Sequence, residues 1–176
     1  QQGNTELIAA SQNGHIDTAR LLLDRGANVD IQQQDGWTAL IFASQNGHTY
    51  VARLLLDHGA NVETQNQYGA TALMAASLNG HIDVARLLLD RGANVDIQDQ
   101  QGRTALITAA FNGHIDTARL LLDRGANVNL QTQQGNTALM NASQNGHTET
   151  ARLLLEHCAN VDTQNQKGGT ALMLAS

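Results

Sequence analysis

A period of 33 residues governs this chain of 176. Gly69 to Gln101 reads GATALMAASLNGHIDVARLLLDRGANVDIQDQQ, and Gly102 to Gln134 reads GRTALITAAFNGHIDTARLLLDRGANVNLQTQQ. The glycine opening each copy recurs as Gly3, Gly36, Gly69, Gly102, Gly135 and Gly168. The spacing predicts one repeat domain over 1–176, with copies at 3–35, 36–68, 69–101, 102–134 and 135–167 and a partial copy at 168–176. A unit this short cannot bury a core alone, so each must be stabilised by stacking on its neighbours. Such an array presents surface, and points to a binding scaffold more than to an enzyme.

Composition narrows this further. Hydrophobic residues make up 41% of the chain but aromatics only 3%, so the interior must be filled by Leu, Ile, Val and Ala at close helix spacing. Acidic residues exceed basic ones by 16 to 10, a net charge of −6, which argues against a nucleic-acid partner. No apolar run approaches the roughly 18 residues of a membrane span, and no secretory leader is visible, so no membrane association is expected. Cys158 stands alone and forms no internal disulfide, which suits a reducing, cytoplasmic or nuclear setting.

Within a copy the pattern reads as two helices and a finger. In the second copy Thr38 is placed to cap a short helix over Ala39 to Gln45, which Asn46-Gly47 ends with a left-handed glycine. A second helix is predicted from Thr49 to His58, with Val51, Ala52, Leu54, Leu55 and Leu56 apolar on more than one face, as a helix sandwiched between neighbours requires. Gly59 closes it. The polar segment from Ala60 to Tyr68, anchored by Val62, reads as an extended hairpin finger leading to the next copy. The predicted class is an all-α solenoid of stacked antiparallel helix pairs joined by these fingers, the first helices on the inner, concave side.

Gly36-x-Thr38-Ala39-Leu40, Asn46-Gly47-His48, Leu54-Leu55-Leu56 and Gly59-Ala60-Asn61-Val62 resemble the ankyrin repeat, and the likeness runs through essentially the whole chain. The resemblance implies a non-enzymatic module that binds another protein. One departure stands out: the family's Thr-Pro-Leu-His becomes Thr-Ala-Leu followed by Ile or Met. Where the family histidine ties turns together, Ile41, Met74, Ile107 and Met140 are expected to substitute packing. The finger residue after Asn-Val is an asparagine only at Asn129, the one position matching the asparagine that some family members carry as a hydroxylation site.

No catalytic constellation, phosphate loop or cofactor motif emerges. His15, His48, His81, His114 and His147 recur at the repeat period, which sets neighbours about 8–10 Å apart, too far to share a metal ion. They are read as capping or packing residues. Arg20, Arg53, Arg86, Arg119 and Arg152 recur likewise, with Asp17 to Arg20 and Arg20 to Asp24 spaced for ion pairs along the second helix. Cys158 replaces the glycine found at Gly26, Gly59, Gly92 and Gly125, where a positive φ is expected.

Function is sought where the copies differ. After the opening glycine stand Asn4, Trp37, Ala70, Arg103, Asn136 and Gly169; before it, Gln2, Asp35, Tyr68, Gln101, Gln134 and Lys167. In the first helix the variable places are Ala9, Phe42, Ala75, Thr108, Asn141 and Leu174, then Gln12, Gln45, Leu78, Phe111 and Gln144. All five aromatics except Tyr50 fall at these places, where core packing would have repeated them. Aromatics and Arg dominate interface energies, so a strip of Asp35, Trp37, Phe42, Gln45, Tyr68, Leu78, Arg103 and Phe111 is the expected partner-binding face.

The chain starts at Gln1 and stops after one helix of a copy, which suggests a segment of a longer array. Leu172, Met173 and Leu174 would then lack the helix that covers their counterparts, and weak end-to-end self-association is expected through this stub. The uniformity of the copies also fits an engineered, consensus-type scaffold with no natural partner.

Overall fold

The computed structural model describes residues 2–175, with side chains described from Glu6 onward. Eleven helices follow in chain order. The first helices of successive copies are α1 (Gln2–Gln12), α3 (Ala39–Gln45), α5 (Ala72–Leu78), α7 (Ala105–Phe111), α9 (Ala138–Gln144) and α11 (Ala171–Leu174). The second helices are α2 (Ile16–Asp24), α4 (Thr49–Asp57), α6 (Ile82–Asp90), α8 (Ile115–Asp123) and α10 (Thr148–Glu156). No strand occurs among the described residues; the fingers are built from turns.

The chain divides into two compact units, Gln1–Ala76 with His81–Asn94, and Ser77–Gly80 with Val95–Ser176. In the first, α1 packs on α2 and α3, α3 on α4, and the second helices α2, α4 and α6 lie side by side. In the second, α9 packs on α7, α10 and α11, while α8 lies against α7 and α10.

Short helices need strong ends, and these have them. The Thr38, Thr104 and Thr137 hydroxyls each accept the amide of the residue three places on at 3.2 Å, a cap contributing about 1 kcal/mol. Gly47 then stops α3 at φ 72°. The α1 helix departs from the pattern by running through Gly3, where a finger turn was expected.

The core is aliphatic throughout. Leu55, Leu88, Leu121 and Leu154 are completely buried, with Ala52, Ala85 and Ala118 beside them small enough for helices to approach closely. Ile41, Met74, Ile107 and Met140, which stand where the family has histidine, are all in the core.

The recurrent histidines do not cap; no side-chain cap bond forms at any of His48, His81, His114 or His147. Instead each ring lies on the glycine of the preceding copy. A Cβ on Gly14, Gly47, Gly80 or Gly113 would come within 2.6–2.7 Å of the ring Nδ1. The Nε2 atoms meet the carbonyls of Gln12, Gln45, Leu78 and Phe111 at 3.0–3.1 Å. A carbonyl only accepts, so the proton sits on Nε2.

The fingers are tied by polar side chains. Asp30, Glu63, Asp96 and Asn129 each accept the main-chain N–H of the asparagine 31 residues on, at 2.6–2.9 Å. Gln98 and Gln131 donate to the glycine carbonyl of their own finger and to the next finger. Gln98 and Gln131 are therefore framework residues of the fingers.

Ion pairing differs from the expectation. Among the described residues Glu149–Arg152 forms along its helix, but Asp17–Arg20 and Arg20–Asp24 do not. A pair runs instead between neighbouring copies, Arg91 to Asp57 at 2.7 Å, and the His58 ring lies 3.8 Å from the Asp24 carboxylate. At the chain's end Leu172 is 82% exposed and Met173 is exposed too, whereas Leu174 is half-buried beside Gln144.

Cys158, at φ 62°, is the one non-glycine residue with positive φ among those described. Around the equivalent Gly26, Gly59, Gly92 and Gly125 nothing lies within 4 Å of a built Cβ, so the strain at Cys158 is conformational and not steric. Cys158→Gly is expected to stabilise the fold by about 1 kcal/mol, and Gly59→Ala to destabilise it by the same amount. Gly47→Ala should cost more than Gly59→Ala, because its methyl also meets the His81 ring. Thermal denaturation of the three variants checks the order; equal losses at Gly47 and Gly59 would remove the histidine from the account.

Candidate functional site

The candidate positions lend the framework their main chain. The Asp35 carbonyl accepts Gln67 N at 3.0 Å, that of Trp37 accepts Gln33 N at 2.9 Å, and that of Arg103 accepts Asp99 N at 3.0 Å. The carbonyls of Gln45, Leu78 and Phe111 receive the histidines of the following copies.

Five of the eight expected strip residues belong to the first unit: Asp35, Trp37, Phe42, Gln45 and Tyr68. Trp37 and Phe42 stack with centroids 4.8 Å apart and planes at 30°. Their positions explain the contact. With Thr38 as the cap, Trp37 is the residue before it and Phe42 the fourth in the helix, the spacing of a hydrophobic staple that fixes how the chain enters α3. Both rings are half-buried, so this pair carries a structural load that the sequence reading assigned wholly to binding. Tyr68 is exposed and stacks on neither ring. Asp35 borders an open depression with Gln33, Gln34 and Gln67, and no described cleft joins it to the aromatic pair.

The other three, Leu78, Arg103 and Phe111, belong to the second unit and converge there. They line a cleft of about 220 Å³ whose floor is Ile107. Leu78 is 42% exposed and Phe111 51%, although the same frame position holds Gln at 12, 45 and 144. The remaining wall is Thr108, Asn112, Thr132, Gln134, Asn136 and Asn141. Gln134 and Asn136 also border an adjoining cleft of about 230 Å³ with Gln144, Asn165, Lys167 and Leu174.

Thr108, Gln134, Asn136 and Asn141 are variable positions that the emphasis on large side chains passed over. Asp99 was missed as well. Its carboxylate accepts Gln101 N at 2.9 Å and Arg103 N at 2.8 Å through Oδ1, and Arg103 Nε at 2.6 Å through Oδ2. Arg103 Nη2 adds a 3.2 Å bond to Gln101 Oε1. The guanidinium is thereby held at the rim of the cleft by a carboxylate beneath it. The i,i+4 spacing of Asp99 and Arg103 was the available signal.

The family model described as "Ankyrin repeats (3 copies)" matches residues 1–66, 61–132 and 124–176. The chain belongs to the ankyrin-repeat family. No curated protein matches it. Ankyrin repeats are generally protein–protein interaction modules and typically non-catalytic. No helix among the described residues of this ankyrin chain is long and apolar enough to cross a membrane.

The Asp99 arrangement is checked by two substitutions. Asp99→Ala removes an acceptor for two finger amides and should lower stability by about 2 kcal/mol. Asp99→Asn keeps an oxygen for both amides, as Asn66 and Asn165 do at the same frame position, and should cost under about 1 kcal/mol. Chemical denaturation measures both; equal losses would show that the ion pair, not the turn, is what Asp99 supports.

Proposed function

We propose that this ankyrin array binds another protein through the face made by its finger tips and first helices, by rigid presentation and without chemistry of its own. The observation that carries this reading is the cleft around Leu78, Arg103 and Phe111. Most of its wall consists of the positions at which otherwise near-identical copies differ. Two large apolar side chains stand half-exposed there, where other copies place glutamine. In the first unit, Asp35, Gln45 and Tyr68, with the aromatic positions there, are separate candidate contacts. Tyr68 offers contact area, while Trp37 and Phe42 serve helix entry first. The lone Cys158 suits a reducing compartment, cytoplasmic or nuclear. End-to-end association through the exposed Leu172 and Met173 would be a weaker, concentration-dependent contact.

Uniform copies favour a scaffold without a partner, and one experiment separates the two readings. Proteins captured from lysate by the wild-type array are compared with those captured by Leu78→Ala, Phe111→Ala and by Tyr50→Ala. Tyr50, 77% exposed on α4, is the control on the second-helix face. The double variant should lose its partner by at least about tenfold in affinity at unchanged melting temperature, with Tyr50→Ala neutral. The reverse pattern would move the site to the second helices; no specific capture by any form would favour the scaffold.

A further inference from the structure

The two adjoining clefts of the second unit have an electrostatic character that the chain as a whole does not. Net charge is −6, yet none of the residues lining either cleft is Asp or Glu, and each cleft contains one cation, Arg103 or Lys167. Asp99 does not offset this at the surface. Its side chain is only 2% exposed, with its oxygens occupied by Arg103 Nε and two finger amides. The Arg103 side chain is half-exposed and its Nη1 makes no bond within the described chain. Lys167 is exposed and forms no ion pair among the described residues. The depression at the first unit's finger shows the opposite sign, with Asp35 among glutamines.

We infer that these joined clefts receive an acidic segment of the partner protein, in which carboxylates flank one apolar side chain. The inference rests on the protein-binding reading of this face and names the chemistry of its ligand. A cavity of about 220 Å³ is below the size of a small-molecule pocket, roughly 300–1,000 Å³, and suits a single side chain against Leu78, Ile107 and Phe111. Gln134, Asn136 and Gln144 bring amides that pair with either a donor or an acceptor, as an extended peptide main chain requires. Arg103 offers a planar edge to a carboxylate, and Lys167 a mobile point charge. Their fingers are two steps apart, about 16–20 Å at the spacing of packed helices, a distance that about five or six extended residues span. A polyanion with no apolar group would leave Leu78 and Phe111 uncovered.

A random peptide library displayed on phage is selected against the whole chain, and enriched sequences are resynthesised for fluorescence anisotropy. The selected peptides should carry an excess of Asp and Glu around a Leu, Ile or Phe, and should bind more weakly as ionic strength rises. Affinity should fall at least about tenfold with Arg103→Gln, Lys167→Gln and likewise with Phe111→Ala, and stay unchanged with Tyr50→Ala. Lys167→Glu should shift the selection toward neutral or basic peptides. Circular dichroism verifies that each variant remains folded. Peptides without an acidic excess that still need Phe111 would overturn the charge assignment and leave the protein-binding reading in place. Acidic peptides indifferent to Arg103, Lys167 and Phe111 would overturn both, and so would a selection that enriches nothing. Binding of a short deoxythymidine oligonucleotide, dependent on Arg103 and Lys167 but not on Phe111, would assign the clefts to phosphate instead.

Discussion

The fold depends on an imidazole seated on a glycine. His48 covers Gly14, His81 covers Gly47, His114 covers Gly80 and His147 covers Gly113, and in each case Nε2 reaches the preceding copy's first-helix carbonyl. A carbonyl at the end of a first helix would otherwise face water or go unsatisfied. The glycine thus has two roles: it turns the chain with a positive φ, and it leaves room for the ring that fastens the next copy. Either alone could be relaxed, but together they hold the Asn-Gly-His sequence in place. One hydrogen bond of this kind contributes only about 1 kcal/mol. Its importance lies in register, because it sets the offset at which Leu55, Leu88, Leu121 and Leu154 become buried.

A second ladder does the same for the fingers. Without strands, their main-chain groups must be satisfied individually, which is a demanding requirement for exposed turns. Asn28, Asn61, Asn127 and Asn160 each fold back on the amide two residues on, while Asp30, Glu63, Asp96 and Asn129 reach to the next finger. The opening glycines fit this scheme by contact. A Cβ on Gly36, Gly102 or Gly135 would come within 2.8–2.9 Å of the main chain of the following finger. Asn129 is accordingly a structural acceptor, like the carboxylates at its frame position, whatever else its amide does.

What could be read from the sequence was what is local in the chain. Thr38 as cap, Asn46-Gly47 as stop and the bounds of α3 depend on residues within one turn, and all are found as the pattern implies. Contacts across copies were less legible. The histidines were expected to cap or pack, and only their distance from Gly14 or Gly47 in the folded chain decides that they fasten copies together. Arginine pairing was sought along a helix, whereas Asp57 and Arg91 are 34 residues apart and meet only because α4 and α6 lie side by side. In the candidate site the frame argument found Leu78, Arg103 and Phe111, but it treated Trp37 and Phe42 as equal members. Their spacing about Thr38 already marked them as a staple, a local signal that the search for recognition residues overrode.

The variable positions are variable for a structural reason. Asp35, Trp37, Leu78, Arg103 and Phe111 each give the framework a carbonyl, and the residue type is irrelevant to that bond. That bond does not depend on the side chains displayed at these points, although Trp37 adds a staple with Phe42 and Arg103 an ion pair with Asp99. Glutamine, alanine or asparagine would be the inexpensive choice at such a place, and about half of the copies have one of them. Leu78 and Phe111 depart from it in adjacent copies, each leaving apolar surface half-exposed. Arg103 departs in the finger between them, and there Asp99 replaces the Gln, Asn or Thr of other copies and holds the guanidinium in one orientation. Three unrelated departures converging on one cleft, one of them with its own supporting residue, are not what indifferent positions would accumulate independently.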